Sequence, residues 1–256
     1  MKIRLLGAHK IESKDTRCAC LLIDDILAID AGALTSRLSL KAQLKLKALL
    51  LSHRHYDHVK DIPALGMNFF LLGKTLEICT IQSVYEDVSR YLLDGALYPD
   101  FRQEPPGKPA LKFNIVQPGR EVSIEGYKIL PVTIRHAVPC VGYQITSTAE
   151  KKLFYTADTG PGLAECWRQV SPDLLIIEVT YLNKYHDLSV KAGHLTPSLL
   201  QTELESFRMI KGYLPRIVTI HTDPLNEKGI EAELAGVAGA LNTEIQLGRE
   251  EMRIEL

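Results

Sequence analysis

The chain has 256 residues, 46% of them hydrophobic, and its 30 Lys and Arg residues nearly balance 31 Asp and Glu residues, for a formal net charge of −1. This length and apolar content suffice for one large core, and we expect a single domain over residues 1–256. The near-zero charge excludes a protein that depends on its overall field to attract nucleic acid or an anionic membrane, but it leaves room for a local basic patch.

The sequence also bears on the compartment. No apolar run approaches the roughly 20 residues of a transmembrane helix, and the charged segment Met1–Leu6 does not resemble a secretion signal. An odd number of cysteines without such a signal is typical of reduced thiols. We therefore expect a cytoplasmic protein without membrane contact, with Cys18 and Cys20 at strand positions rather than in a metal site.

The first third of the chain alternates between strand and helix patterns. Apolar runs predict short strands at Lys2–Leu6, Ala19–Ile23, Ile26–Ile29, Ala48–Leu51 and Leu76–Ile81. Residues 35–47, where Leu alternates with Lys, Arg and Gln, favour a helix. Further helices are predicted from Asp61, as an N-cap residue, to Leu72, and over Gln82–Leu93.

Residues 94–110 break this regular pattern and form a predicted loop. The loop contains Tyr98, Phe101 and four prolines. A loop of this length in a compact domain is often a lid or a binding loop, and a tethered connector is the alternative.

The second half is richer in strands. Strands are predicted at Phe113–Val116, Glu121–Ile124, Tyr127–Ile134, Val141–Ser147, Lys152–Tyr155, Leu174–Glu178 and Arg216–Ile220, and residues Glu244–Leu256 are strand-like. Helices are predicted at Gly162–Val170, Thr196–Lys211 and Glu227–Leu241, with Thr196 as the N-cap of its helix.

Four metal-capable side chains lie within six residues, in the segment His53-Arg54-His55-Tyr56-Asp57-His58 that follows the strand at 48–51. Side chains two apart in an extended strand share a face, so His53 and His55 can bind one ion. Past the strand end, Asp57 and His58 can reach a second ion. Imidazole and carboxylate ligands suit zinc, and also manganese or iron. The alternative is a polar loop that happens to be rich in histidine.

Three further candidates each follow an apolar strand, namely His136, Asp158 and His221. Taken singly, such a histidine is usually a satisfied surface or core side chain, and an Asp before Thr-Gly is usually a turn former. Their shared position at strand ends indicates that they join the histidine segment in one site.

In this order, these motifs resemble the metallo-β-lactamase superfamily with its dinuclear metal centre, and Asp30-Ala31-Gly32 is similar to the Asp-x-Gly turn of that fold. The resemblance covers nearly the whole chain and implies an α/β fold, a four-layer αββα sandwich with the site at one edge between the sheets. It also implies the ligand sets: His53, His55 and His136 for one metal, Asp57, His58 and His221 for the other, and Asp158 bridging both.

Two shorter segments, around Glu178 and His194, are similar to elements of the phosphodiesterase branch, which includes tRNA 3′-processing endonucleases and class II cyclic-nucleotide phosphodiesterases. The segment 97–101 is similar to a Trp-Pro-Asp-like segment of the class II enzymes. The chain departs from the class II pattern at Tyr56, where Leu is usual, and at Lys60, where Gly is usual. It has no long Gly-rich insert like the tRNA-grasping arm.

The resemblance implies a metal-dependent hydrolase, first of all a phosphodiesterase for a cyclic nucleotide or another small phosphodiester. A hydroxide that bridges the ions would attack, Asp57 would orient it, and His194, held by Glu178, would protonate the leaving oxygen. The structural alternatives are that Glu178 only orients a ligand histidine and that His194 only begins a helix. Thr196, Tyr98 and Phe101 are expected to contact substrate.

Other functions remain alternatives: a tRNA 3′-end or other RNA endonuclease, a lactone or thioester hydrolase, and a non-catalytic metal-binding scaffold. A redox di-iron protein is disfavoured because that branch has Glu where His55 stands. The expected cofactors are two divalent ions, Zn²⁺ in the first place and Mn²⁺ or Fe²⁺ as alternatives. The expected partners are a small phosphodiester, RNA as a further candidate, and a second copy of the chain in a homodimer.

Overall fold

Two seven-stranded sheets form the centre of the computed structural model, which describes residues 1–256. In spatial order, the first sheet consists of β14 (Arg253–Glu255), β1 (Lys2–Gly7), β2 (Cys20–Ile23), β3 (Leu27–Ile29), β4 (Ala48–Leu50), β5 (Leu76–Thr80) and β6 (Leu111–Ile115). The second consists of β13 (Ile245–Leu247), β12 (Arg216–Ile220), β11 (Leu174–Glu178), β10 (Lys152–Tyr155), β9 (Cys140–Thr146), β8 (Tyr127–Ile134) and β7 (Val122–Ile124).

The helices fall into two sets along the chain. The first set is α1 (Leu34–Arg37), α2 (Leu40–Gln43), α3 (Tyr56–Val59), α4 (Ile62–Leu71) and α5 (Gln82–Tyr91). The second set is α6 (Ala164–Gln169), α7 (His186–Ala192), α8 (Pro197–Lys211) and α9 (Glu227–Leu241). No helix combines the length and the apolar character that crossing a lipid bilayer requires.

Side-chain alternation along the first sheet produces the layers. Leu5, Leu21 and Ile29 belong to the larger hydrophobic cluster, which continues into the second sheet, whereas Leu6 and Leu22 belong to a smaller cluster with α4 and α5. Successive residues of a strand point to opposite faces, so the first sheet is buried on both of its faces. The second sheet is covered in turn by apolar stripes of α6, α8 and α9. The predicted four-layer αββα sandwich is confirmed.

Strand direction brings the polar strand ends to one edge. β8 and β10 both run antiparallel to β9, and β10, β11 and β12 are parallel neighbours, so β8, β10, β11 and β12 share one direction. In the first sheet, β3 and β4 are also parallel. The carboxyl ends of parallel strands are the usual place for ligand-binding groups in such sheets.

The structure corrects two predicted elements. Residues 35–47 form two short helices, because buried Leu38 is extended (φ −105°, ψ 131°) and the Ser39 side chain caps α2. The strand-like segment 244–256 forms two strands in different sheets, β13 beside β12 and β14 beside β1. An alternating pattern cannot distinguish one long strand from two short ones that face different partners.

The loop at 94–110 is anchored by Phe101, whose side chain is fully buried in the smaller cluster. A Cβ at Gly66 would lie 2.3 Å from Cδ2 of Phe101, so the ring packs directly on the backbone of α4. The expectation that Phe101 contacts substrate is therefore wrong, since a ring without exposed surface cannot stack on a ligand. Tyr98 lies beside it, with ring centres 6.0 Å apart, and is 40% exposed. That the loop acts as a lid stays a prediction.

Replacing Phe101 with alanine should therefore affect stability rather than substrate binding. Removing a fully buried phenyl ring leaves a cavity and typically costs about 3–5 kcal/mol. We expect urea denaturation to show a loss of this size, with an unchanged KM for any substrate that the protein turns over. A large rise in KM with little loss of stability would instead restore a binding role for Phe101.

Candidate metal centre

All seven side chains predicted as metal ligands lie together at the carboxyl edge of the sheets. Two overlapping groups have their ligand atoms within 4.8 Å of one another, and both include Asp158. The groups are His53, His55, His136 and Asp158, and Asp57, His58, Asp158 and His221. Asp158 therefore occupies the position between the two groups that a bridging ligand requires.

Backbone turns at the strand ends direct these side chains inward. Asp30 follows β3, Ala157 precedes Asp158 after β10, and His221 follows β12; all three have left-handed φ angles, of 58°, 57° and 60°. Non-glycine residues seldom adopt this conformation unless the surrounding contacts impose it, and such residues cluster at functional sites.

In the first group, three ring nitrogens converge. Nε2 of His53 and Nε2 of His136 each lie 3.1 Å from Nδ1 of His55. Nδ1 of His136 donates to the carbonyl oxygen of Gly193 at 2.8 Å, so Nε2 of the neutral ring presents a lone pair. Burial is the main cause that lowers the pKa of His53, His55 and His136, which keeps them in the neutral form that binds metals.

The second group combines carboxylates with histidines. Oδ2 of Asp57 lies 3.1 Å from Nε2 of His221, and Oδ2 of Asp158 lies 3.4 Å from the same atom. Burial disfavours a charged Asp57, but His58 and His221 outweigh it and lower the pKa of Asp57 to about 2. Burial likewise disfavours a charged His58, yet Asp158, Asp57 and Asp30 raise its pKa well above the ordinary value. The carboxylates of the second group therefore strongly favour a positive charge between them.

Two buried atoms in this group make no hydrogen bond. Nε2 of His58 and Oδ1 of Asp158 face each other at 3.3 Å, but neither has a partner of acceptable geometry. Buried polar atoms are rarely left in this state, and each such atom needs an explanation. An unpartnered imidazole nitrogen and an unpartnered carboxylate oxygen this close together suit a divalent cation such as zinc. The residues of both groups thus fit divalent metal ions.

Asp30 and Ser52 orient these ligands from behind, a role that the sequence analysis missed. Oδ2 of Asp30 accepts hydrogen bonds from Nδ1 of His58 (2.8 Å), Oγ of Ser52 (2.8 Å) and the hydroxyl of Tyr155 (2.7 Å). The Ser52 oxygen in turn lies 2.9 Å from Nδ1 of His53. One buried carboxylate therefore supports a histidine in each group. The only signal in the sequence was the Asp30-Ala31-Gly32 turn.

Thr180 has the corresponding role for His221, and it was also missed. Its Oγ1 accepts from Nδ1 of His221 at 2.9 Å and donates to Oε2 of Glu178 at 2.8 Å. Groups that hold the outer nitrogen of a ligand histidine fix the tautomer and the ring orientation.

Thr180→Val should weaken metal binding by about 10–100-fold, the usual loss when such a supporting group is removed. The valine keeps the volume but neither accepts from His221 nor donates to Glu178. Titration of zinc against a competing chelator measures the effect, and Thr180→Ser, which retains the hydroxyl, is the matched control. Equal zinc affinity in the valine variant and the unaltered protein would contradict this role.

Glu178 and His194 form a pair beside the two groups. Oε1 of Glu178 lies 2.7 Å from Nδ1 of His194, and the same oxygen accepts from the backbone N–H of Thr159 at 3.1 Å. The His194 ring centre lies 5.2 Å from that of His136 and 5.4 Å from that of His221. Burial lowers the pKa of His194, but the Glu178 carboxylate outweighs it and raises the pKa to about 9. The pair can therefore hold a proton next to the candidate metal centre at neutral pH.

Thr196 does not line this site. Its side chain is fully buried, and its hydroxyl accepts from the backbone N–H of Leu199, which makes Thr196 the N-cap of α8. The predicted cap is confirmed, and the expectation of substrate contact is wrong, because the side chain has no exposed surface. One strong local preference, that of threonine for the N-cap, accounts for its position.

Comparison with known sequences places the chain in a family. The sequence profile of the beta-lactamase superfamily domain matches residues 21–222. An octanoyltransferase of Porphyromonas gingivalis is 30% identical over 152 residues, which is 57% of this chain and 30% of that protein. A ribonuclease Z of Acaryochloris marina is 26% identical over 129 residues, 47% of this chain and 38% of that protein. The aligned regions thus span less than two fifths of these relatives.

Solved structures share the fold over its full length. Yeast PDE1 matches with a TM-score of 0.85 at 15% identity, covering 100% of this chain and 99% of PDE1. The metallo-β-lactamase fold protein YhfI of Bacillus subtilis matches with a TM-score of 0.79 at 18% identity. The short form of human tRNase Z matches with a TM-score of 0.71 at 16% identity. Both alignments cover 100% of this chain and 99% of the other protein. The chain therefore belongs to the beta-lactamase superfamily and has the metallo-β-lactamase fold, as its motifs predicted.

Proposed function

We propose that this protein is a metal-dependent phosphodiesterase that hydrolyses a cyclic nucleotide or another small phosphodiester. The observation that carries the proposal is the position of the Glu178–His194 pair beside two ligand groups that share Asp158. A phosphodiester needs charge next to its non-bridging oxygens and a proton for its leaving oxygen, and this arrangement provides for both.

The metal assignments follow the two groups. His53, His55 and His136 would hold one divalent ion, Asp57, His58 and His221 the other, with Asp158 shared between them. When bound, a pair of divalent ions neutralises phosphate charge and supplies a nucleophile from water at neutral pH. Zn²⁺ suits these nitrogen and oxygen ligands best, and Mn²⁺ or Fe²⁺ are alternatives.

The remaining steps belong to side chains. The Asp57 side chain is 26% exposed, in contrast to Asp158 at 3%, so the Asp57 carboxylate can accept a hydrogen bond from an attacking water and orient it. In the imidazolium form of His194, the Nδ1 proton is held by Glu178 and Nε2 carries the other proton. We assign to that Nε2–H the donation of a proton to the leaving oxygen.

Several relatives support a reaction of this class. Members of the superfamily are metal-dependent hydrolases, and the chain is similar in fold to yeast PDE1 and to human tRNase Z. The sequence match to a ribonuclease Z favours RNA cleavage as a second candidate. A lactone or thioester hydrolase would not need the Glu178–His194 pair, and this argues for the phosphodiesterase over that alternative.

A substrate panel tests the proposal. The protein, loaded in turn with zinc, manganese and iron, is assayed against cyclic nucleotides, dinucleotides, a tRNA precursor and a lactone. We expect turnover of a small phosphodiester and little of the lactone. Efficient cleavage of the lactone alone would refute the phosphodiesterase, and cleavage of the tRNA precursor alone would select the ribonuclease.

A further inference from the structure

A groove of about 440 Å³ lies beside the candidate metal centre, between α3 and α5. Its floor includes Val59 and Val88, which are buried, and its walls include Tyr56 and Tyr91. Both tyrosines are largely exposed, at 69% and 64% of their surface. The volume falls within the range of small-molecule sites, about 300–1,000 Å³.

The groove borders the metal centre at His55. This residue lines the groove, while its Nδ1 lies 3.1 Å from the ring nitrogens of His53 and His136. The side chains of an extended segment alternate, so Arg54 lies on the other side of the backbone from His53 and His55, and its side chain lines the groove together with that of His55. A molecule whose phosphate lies at the centre would reach the groove past the His55 side chain.

The walls of the groove combine aromatic and hydrogen-bonding groups. The guanidinium of Arg54 pairs with Asp87 at 2.7 Å, and the side chains of both remain partly exposed, at 45% and 24%. The guanidinium of Arg90 lies 5.4 Å from the Tyr91 ring centre, and the Tyr91 ring is largely exposed. Aromatic rings stack on nucleobases, and Arg and Asp can hydrogen-bond to base edges. A purely alkyl group would leave these polar groups unused.

We propose that this groove binds the nucleobase of the substrate, with Tyr56 and Tyr91 as the stacking residues. The inference rests on the proposed function and makes it more specific: the substrate is a nucleotide diester rather than a phosphodiester without a base. Tyr98 and Phe101 do not line this groove.

The test compares two ligands that differ only in the base. Calorimetry with the zinc-loaded protein measures the affinities for AMP and for ribose 5-phosphate. Base stacking on an aromatic residue predicts that AMP binds roughly tenfold more tightly or better. Tyr56→Ala and Tyr91→Ala should each reduce this ratio, and the double variant should bring it close to one, without weakening ribose 5-phosphate. Tyr56→Phe and Tyr91→Phe should preserve it.

Tyr213→Ala provides the matched control, since Tyr213 is a partly exposed tyrosine just before β12, at the opposite end of that strand from His221. A ratio near one in the unaltered protein, or a ratio that survives the double substitution, overturns the inference. The inference is also overturned if hexyl phosphate binds more tightly than AMP, each compared with ribose 5-phosphate, because that result would identify an alkyl-binding groove. Because binding is measured without turnover, the result stands even if no phosphodiester is hydrolysed, and that failure would count against the proposed function alone.

Discussion

Asp158→Ala is expected to remove bound metal and hydrolytic activity together. Asp158 is the one side chain common to both ligand groups, and its oxygens lie within 3.3–4.0 Å of ring nitrogens of His53, His58, His136 and His221. The loss should clearly exceed the about 10–100-fold that follows removal of a group that only supports a ligand. Elemental analysis after dialysis gives the metal content, and bis(p-nitrophenyl) phosphate reports activity.

A second carboxylate variant separates this effect from a general change of charge. Asp187, on α7, has a fully exposed side chain, so Asp187→Asn should leave metal content and rate unaltered. Retention of two metal equivalents by the Asp158 variant would disprove the bridging role. Circular dichroism of both variants shows whether a loss of metal reflects unfolding instead.

The ligands could be predicted from sequence because their pattern is local. His53, His55, Asp57 and His58 lie within six residues, and His136, Asp158 and His221 each follow an apolar strand. The shared position at strand ends indicated that the distant residues join the segment, and the resemblance to the superfamily implied how the seven side chains divide into two ligand sets. The αββα layers followed from the resemblance of these same motifs to a known superfamily.

The supporting residues could not be predicted in this way. Ser52 and Thr180 act through hydrogen bonds to histidines, and Thr180 is 41 residues from its partner His221. A buried threonine in an apolar strand end looks the same whether or not a histidine reaches it. The prediction that Thr196 and Phe101 contact substrate was wrong for the opposite reason. Their local context suggested the site, but helix capping places Thr196 and core packing places Phe101.

The groove was missed because its walls come from separate elements. Tyr56 lies in the histidine segment, whereas Tyr91 ends α5 and carries no motif. Only the fold places the two rings beside the same groove. The aromatic residues predicted to contact substrate, Tyr98 and Phe101, lie instead in the irregular loop, and that loop buries Phe101.

His194→Ala should preserve the metal and lose phosphodiesterase rate by roughly 10²–10⁴-fold, the usual contribution of a positioned acid. The ring lies beside both ligand groups, and its Nδ1 is engaged by Glu178. Unlike the Asp158 variant, this one should match the unaltered protein in elemental analysis. Full activity on bis(p-nitrophenyl) phosphate would eliminate the proton-donating role.

The pH dependence identifies the pair more specifically. Burial lowers the pKa of His194, but without bound metal Glu178 outweighs burial and raises the pKa to about 9. Bound cations lower this value, so kcat of the loaded enzyme should fall on an alkaline limb below that pH. The Glu178–His194 pair stabilises the folded protein with the same pH dependence. This stabilisation is complete below the unfolded-state pKa of histidine, about 6.5, and is lost as the pH rises through the folded-state pKa of His194. Glu178→Gln keeps the shape of the side chain but removes the charge that outweighs burial. In that variant the alkaline limb of kcat should therefore move down towards pH 6.5 or below, while the zinc content is retained. An alkaline limb that does not move would assign the titration to another group and leave Glu178 as a purely structural partner.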